Sequence, residues 1–261
     1  MRRVFLAPLL LGFAAMLGCS TIQSLSSLAG LGMSDEDLNK AAAEAFEDLK
    51  KKETIETNAY INRYVKCVAN NIVEVTQDPT GVKQWEIVVF RNNAVNAFAL
   101  PGGKIGVYTG LLSVAKNQNQ LAAVIGHEVG HVIKEHGKAR MQMSQIANVA
   151  LETAGMSTDN AMVIQAVGLG AQYGVLLPFS RSHESEADEV GLKLMAMAGF
   201  DPQESVTLWQ NMAAMGGDKP PEMMSTHPSD QTRIKDLQSN MADALALSQV
   251  AKSQGKNPSC Q

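Results

Sequence analysis

Aromatic residues are scarce in this chain. Phe, Trp and Tyr together make up 5% of 261 residues, so the core must come mainly from aliphatic side chains and methionine. No run of lysine and arginine is longer than Lys50-Lys51-Lys52, the formal charge is -4, and no zinc-finger or RNP pattern is present; nucleic acid is therefore excluded as a partner. There is no internal repeat and no low-complexity block. The apolar run that opens the chain, Val4 to Leu17, has 14 residues and is too short for a good membrane span. What remains is a 45% apolar share, ordinary for a globular domain, and enough length for a single sizeable core.

The chemistry begins at Gly126-His127-Glu128-Val129-Gly130-His131. This HExxH lies inside an apolar-periodic run, with Leu121 to Ile125 ahead and Val132-Ile133 behind. Positions i and i+4 share one helix face, so His127 and His131 can present two imidazole nitrogens to one metal ion. Glu128 is one position round, near enough to reach a water beside that metal. Two neutral imidazoles and a nearby carboxylate are what a zinc hydrolase requires.

The N-terminus carries an address. Arg2 and Arg3 precede the apolar run, which leads into Met16-Leu17-Gly18-Cys19-Ser20. A small residue followed by cysteine at this place resembles a bacterial lipobox, which implies that Cys19 is acylated and becomes the mature N-terminus. Ser20 behind it resembles a lipoprotein sorted to the outer membrane, on its periplasmic side. Residues 1–18 are then a signal peptide, 19–33 a lipidated, flexible tether, 34–250 the folded domain that carries the HExxH and 251–261 a polar tail. The alternative is an ordinary secretory peptide and a soluble periplasmic domain. With Cys19 taken by lipid, Cys67 and Cys260 are left, and an oxidising compartment allows them to bridge; the alternative is two free thiols.

The pattern along the chain is helical at both ends. Helices are expected from Ser34 to about Lys52 and from about Glu56 to Val75. Three short strands follow, Trp85–Phe90, Val95–Leu100 and Lys104–Tyr108, as a small antiparallel sheet. The HExxH helix is expected over about Asn119 to His136, stopped by Gly137. Further helices are expected over 138–155, 160–177 (closed by Pro178), 181–198, from Asp201-Pro202 onward, and 229–247. Met215 to Pro221 reads as a loop.

Catalytic zinc usually takes three protein ligands. The stretch Arg181-Ser182-His183-Glu184-Ser185-Glu186-Ala187-Asp188 offers the third. Glu184 and Asp188 share a helix face; one can bind metal while the other holds a ligand imidazole. His183 is a rival one step round, and position alone does not choose between it and Glu184.

The two motifs together resemble peptidase family M48, which includes the CAAX prenyl proteases and bacterial periplasmic quality-control proteases. The similarity extends from about Val95 to Arg233, through Asn96-Ala97-Phe98-Ala99, Gly126 to His131, Phe179 to Asp188, and His227-Pro228. The resemblance implies an α+β, predominantly helical, zincin-like (gluzincin) fold. It implies one Zn2+ per chain on His127, His131 and Glu184, with Asp188 behind a ligand imidazole and Glu128 as base. It implies that Asn96, Ala97, Phe98 and Ala99 form the strand that pairs with an extended peptide. The expected function is a periplasmic zinc endopeptidase cleaving unfolded or misassembled envelope proteins, held to the membrane by its lipid alone. The alternative is a chaperone or assembly factor working with outer-membrane assembly machinery, with proteolysis secondary. His227 has three open readings: a hydrogen-bond donor to the reacting group, a fourth ligand capping a latent site, or merely the start of the last helix.

Overall fold

The computed structural model describes residues 34–76, 81–157, 165, 177–215, 223, 227 and 231–260. The signal segment, Cys19, the tether, most of the helix expected over 160–177 and most of the loop over 215–221 lie outside them.

Helix α1 (Asp35–Lys52) has three acids in its first turn and three lysines in its last, each complementing the helix dipole, and it buries Ala42 and Phe46. Helix α2 (Ala59–Glu74) starts later than the pattern suggested. The Asn58 side chain accepts from the N–H groups of Tyr60 and Ile61 and caps it. The chain just before belongs to the sheet: Ile55 bridges to Phe90, and the Glu56 N–H donates to Val89 O.

The strands are β1 (Glu86–Phe90), β2 (Ala97–Leu100) and β3 (Lys104–Tyr108), in the order β1-β3-β2. β2 and β3 form an antiparallel hairpin through Pro101-Gly102-Gly103, where both glycines take positive φ (75° and 77°). β1 runs parallel to β3, so the sheet is mixed and the antiparallel expectation is corrected. Side-chain alternation has the same period in either orientation, so the pattern carried no information on direction. A 3-10 turn (Thr109–Ser113) leads to the central helix.

Helix α3 (Gln118–Ile133) is capped by the Asn117 side chain, and every residue from Gln120 to Val132 is buried. It ends three residues earlier than expected. Lys134 closes it, Glu135 takes a left-handed φ of 51°, and α4 (His136–Ser157) begins at once. Helix α5 (Leu177–Met197) starts four residues earlier than expected and carries Pro178 in its first turn, where a missing N–H costs no hydrogen bond. Helix α6 (Glu204–Ala214) follows. The single helix expected over 229–247 is two, α7 (Gln231–Ser239) and α8 (Met241–Ser253), broken at Asn240.

What positions the site is the crossing of α3 and α5. A Cβ on Gly191 would lie 2.6 Å from the His127 backbone nitrogen, and one on Gly126 would lie 2.9 Å from Gly191 O. The two backbones therefore meet where neither residue has a side chain, and Gly130 sits as closely on Ala187. This brings the HExxH face of α3 to the Glu184–Asp188 face of α5. At the other end of α3 the C-terminal segment is fastened. Gln118 Nε2 donates to Pro258 O, the Cys260 N–H donates to Gln118 Oε1, and Cys67 and Cys260 are bridged with Cα atoms 5.6 Å apart. Among the described residues, no helix is long and apolar enough to cross a membrane.

Candidate metal centre

Four buried side chains converge: His127 and His131 from α3, Glu184 from α5, and His227. His127 Nε2 lies 3.1 Å from His131 Nε2, 3.2 Å from His227 Nδ1 and 3.2 Å from Glu184 Oε2. Glu184 Oε2 is 3.0 Å from His227 Nδ1, and Glu184 Oε1 is 3.4 Å from His131 Nε2. Ligands at tetrahedral zinc, about 2.0–2.1 Å from the ion, stand about 3.3–3.4 Å from one another, so these atoms already hold close to that spacing. Nothing but shared protons or a cation justifies three imidazole nitrogens and a carboxylate at such distances. Two carboxylate oxygens give the same message. Glu184 Oε1 and Glu128 Oε1 are buried and make no hydrogen bond among the described residues. The donor set therefore fits one zinc ion.

Glu128 stands beside this cluster, its Oε1 3.4 Å from His227 Nε2, an ion-pair distance but not a hydrogen bond. His183, the rival ligand, is turned away, its ring stacked on His136 at 4.0 Å and 10°. Glu186 also faces away from the centre and pairs with His136 and Lys134.

The outer sides of the two α3 imidazoles are both held. His127 Nδ1 is 2.9 Å from Asp188 Oδ1. Asp188 is in turn gripped by Arg233, whose Nε and one terminal nitrogen each donate at 2.6 Å. Arg233 is buried, lies 3.8 Å above the Trp209 ring, and reaches Glu184 Oε2 at 3.4 Å. His131 Nδ1 meets His136 Nδ1 at 2.9 Å. Sequence reasoning did not assign these contacts to Arg233, His136 or Trp209.

These surroundings set the charges. Burial opposes a proton on His127, but the hydrogen bonds to Asp188 and Glu184 outweigh it and raise the pKa to about 9. Burial dominates at His131 and lowers it to about 3. Burial would raise Glu184, yet the His127, His131 and His227 nitrogens crowded against its carboxylate hold it far below the ordinary carboxylate range. Asp188 is likewise kept low, against burial, by Arg233 and His127.

A cavity of about 190 Å³ opens from Glu128, His131 and His227 and runs between α1 and Phe98, Ala99 and Pro101 of the β2 hairpin. β2 is an outer strand. Tyr108 N–H donates to Asn96 O, so Asn96, Phe98 and Leu100 bond inward to β3 while Ala97 and Ala99 turn their peptide groups to the open edge. Just upstream on that edge, Val95 O accepts from the Met223 N–H, and Met223 O accepts from the His227 N–H.

A HExxH helix crossed by a glutamate-bearing helix, beside an open strand, defines a zinc-peptidase centre. The comparisons agree, and the chain belongs to peptidase family M48, whose sequence profile matches residues 56–241. It is 37% identical over 185 residues to the mitochondrial metalloendopeptidase OMA1 of Schizosaccharomyces pombe, covering 69% of this chain and 53% of that protein. To the OMA1 of Arabidopsis thaliana it is 34% identical over 235 residues, covering 87% of this chain and 47% of that protein. To the beta-barrel assembly-enhancing protease of Yersinia pestis it is 28% identical over 206 residues, covering 74% and 41%. The chain thus spans about half the length of the curated relatives it matches.

Proposed function

We propose that the chain is a zinc endopeptidase of the bacterial cell envelope that acts on unfolded or misassembled envelope proteins. The observation that carries the chemistry is the pairing of a ready-spaced His-His-Glu set with a buried, unbonded carboxylate oxygen on Glu128. His127, His131 and Glu184 would hold the metal, which when bound would supply Lewis acidity and bring a water pKa down to about 7. Asp188 accepts the Nδ1–H of His127 and so turns its Nε2 inward. Glu128 Oε1 takes the proton from the attacking water and returns it to the leaving amine. Ala97 and Ala99 pair with the backbone of an extended substrate, which reads shape rather than sequence and suits unfolded chains. The export-type N-terminus, Cys19 and the similarity to a protease named for beta-barrel assembly support the envelope as its place.

The Glu128→Gln variant is expected to retain zinc and lose cleavage of an unfolded outer-membrane protein; full cleavage by it removes Glu128 as base. The assembly-enhancing relative also favours a second reading, a chaperone with proteolysis secondary. Equal rescue of that substrate by wild type and Glu128→Gln would select it.

His227, within 3.0 Å of Glu184, is placed in this proposal as a fourth ligand of a resting state. Its segment is fastened through Met223 to the same strand edge that a substrate would use. His227→Ala is then expected to raise basal proteolysis; a large fall in turnover would instead make His227 a donor to the reacting group.

A further inference from the structure

His136 follows His131 by five residues. On an unbroken helix it would point about 140° away from His131. The chain is not unbroken there. Glu135 takes a left-handed φ of 51°, a conformation that costs any residue bearing a Cβ. The break swings the His136 ring, itself 1% exposed, onto the outer side of His131, with the two Nδ1 atoms 2.9 Å apart. His136 Nε2 then lies 3.1 Å from Glu186 Oε2, and Glu186 Oε1 lies 2.7 Å from Lys134 Nζ.

Two facing Nδ1 atoms share one proton, and the groups beyond decide who owns it. If His136 donated, its Nε2 would be bare and would face a carboxylate oxygen, two acceptors in contact. The His131 proton would then sit on Nε2, the atom turned to the centre. If His131 donates, each contact joins a donor to an acceptor: His131 Nδ1–H to His136 Nδ1, and His136 Nε2–H to Glu186, which Lys134 also neutralises. We propose that His136 is a positioning residue for His131: through Glu186 it selects the tautomer that leaves His131 Nε2 free to ligate. The inference rests on the zinc-site reading above.

The test is zinc affinity of the full chain by chelator competition, with metal-free thermal melts alongside. His136→Phe keeps a flat ring against His183 but accepts nothing. It is expected to lose about 10–100-fold in affinity, the usual effect of removing such a partner. His136→Asn sets an amide oxygen near the Nδ1 position and is expected to recover most of that loss, which a purely structural role would not give. Glu186→Leu alters a half-exposed residue on which the core does not depend, and should show a smaller loss in the same direction. Wild-type affinity in both His136→Phe and Glu186→Leu overturns the inference while leaving the site intact. If instead His131→Ala binds as tightly as wild type, the zinc-site reading itself fails, and this one with it.

Discussion

His127 and His131 lie one turn apart on one helix and face one centre, yet what stands behind them differs. Behind His127 are a carboxylate and an arginine, both buried. Behind His131 is a neutral imidazole, and only beyond it a half-exposed carboxylate. The first imidazole holds a proton to about 9, and the second has a pKa near 3. Identical side chains at the spacing every HExxH shares are thus split by their outer contacts. The charged flank couples the site to folding; the neutral flank mainly orients a ring.

The largest test of that contrast is Asp188→Ala. It strands the Arg233 guanidinium, 2% exposed and lying over the Trp209 ring, without its principal partner. Breaking a buried pair from one side costs about 3–5 kcal/mol. Urea unfolding of the metal-free protein should show a loss of that order. Glu186→Leu on the other flank, where the carboxylate is 44% exposed, should fall well under 1 kcal/mol, as surface pairs do. Equal losses would mean that the flanks do not divide their work in this way.

The sequence showed the part of the site that depends on one helix alone. Residues i and i+4 share a face in any helix, so the approach of His127 and His131 to 3.1 Å was legible from spacing. Glu184 against His183 was not. They differ by one step on α5, and only the crossing with α3 decides which faces the metal side. That crossing depends on Gly126 meeting Gly191, a contact between residues 65 apart that no local pattern announces. The parallel placement of β1 was hidden for the same reason, because strand direction is a long-range choice. His136 was hidden by a backbone irregularity: a helical period read through Lys134 and Glu135 turns it the wrong way.

The proton difference gives a second test. A raised folded pKa at His127 means that its contribution to metal-free stability is fully present below pH 6.5 and is lost as pH rises through about 9. Metal binding must displace that proton, so zinc uptake at pH 6, where a bound water keeps its own, should release about one proton by buffer-dependent calorimetry. His131 is already bare there and adds none. Below pH 7, before the bound water ionises, apparent affinity should climb about tenfold per pH unit. Release of none at pH 6 would remove the distinction at His127.

The smallest effect expected is at Glu135. Its left-handed backbone costs a residue with a Cβ about 1–2 kcal/mol, and glycine adopts it freely. Glycine also gives back part of that gain, roughly 0.4–1 kcal/mol, through the greater freedom of the unfolded chain. The Glu135–Lys138 contact, 3.9 Å and half-exposed, contributes little. Glu135→Gly is therefore expected to be neutral to about 1 kcal/mol more stable, with zinc affinity unchanged, because the turn that carries His136 to His131 is kept. Glu135→Pro cannot reach positive φ, so it should break the turn and lower zinc affinity as His136→Phe does. If Glu135→Pro binds zinc like wild type, then the kink between α3 and α4 is incidental, and the neutral flank of the site does not depend on it.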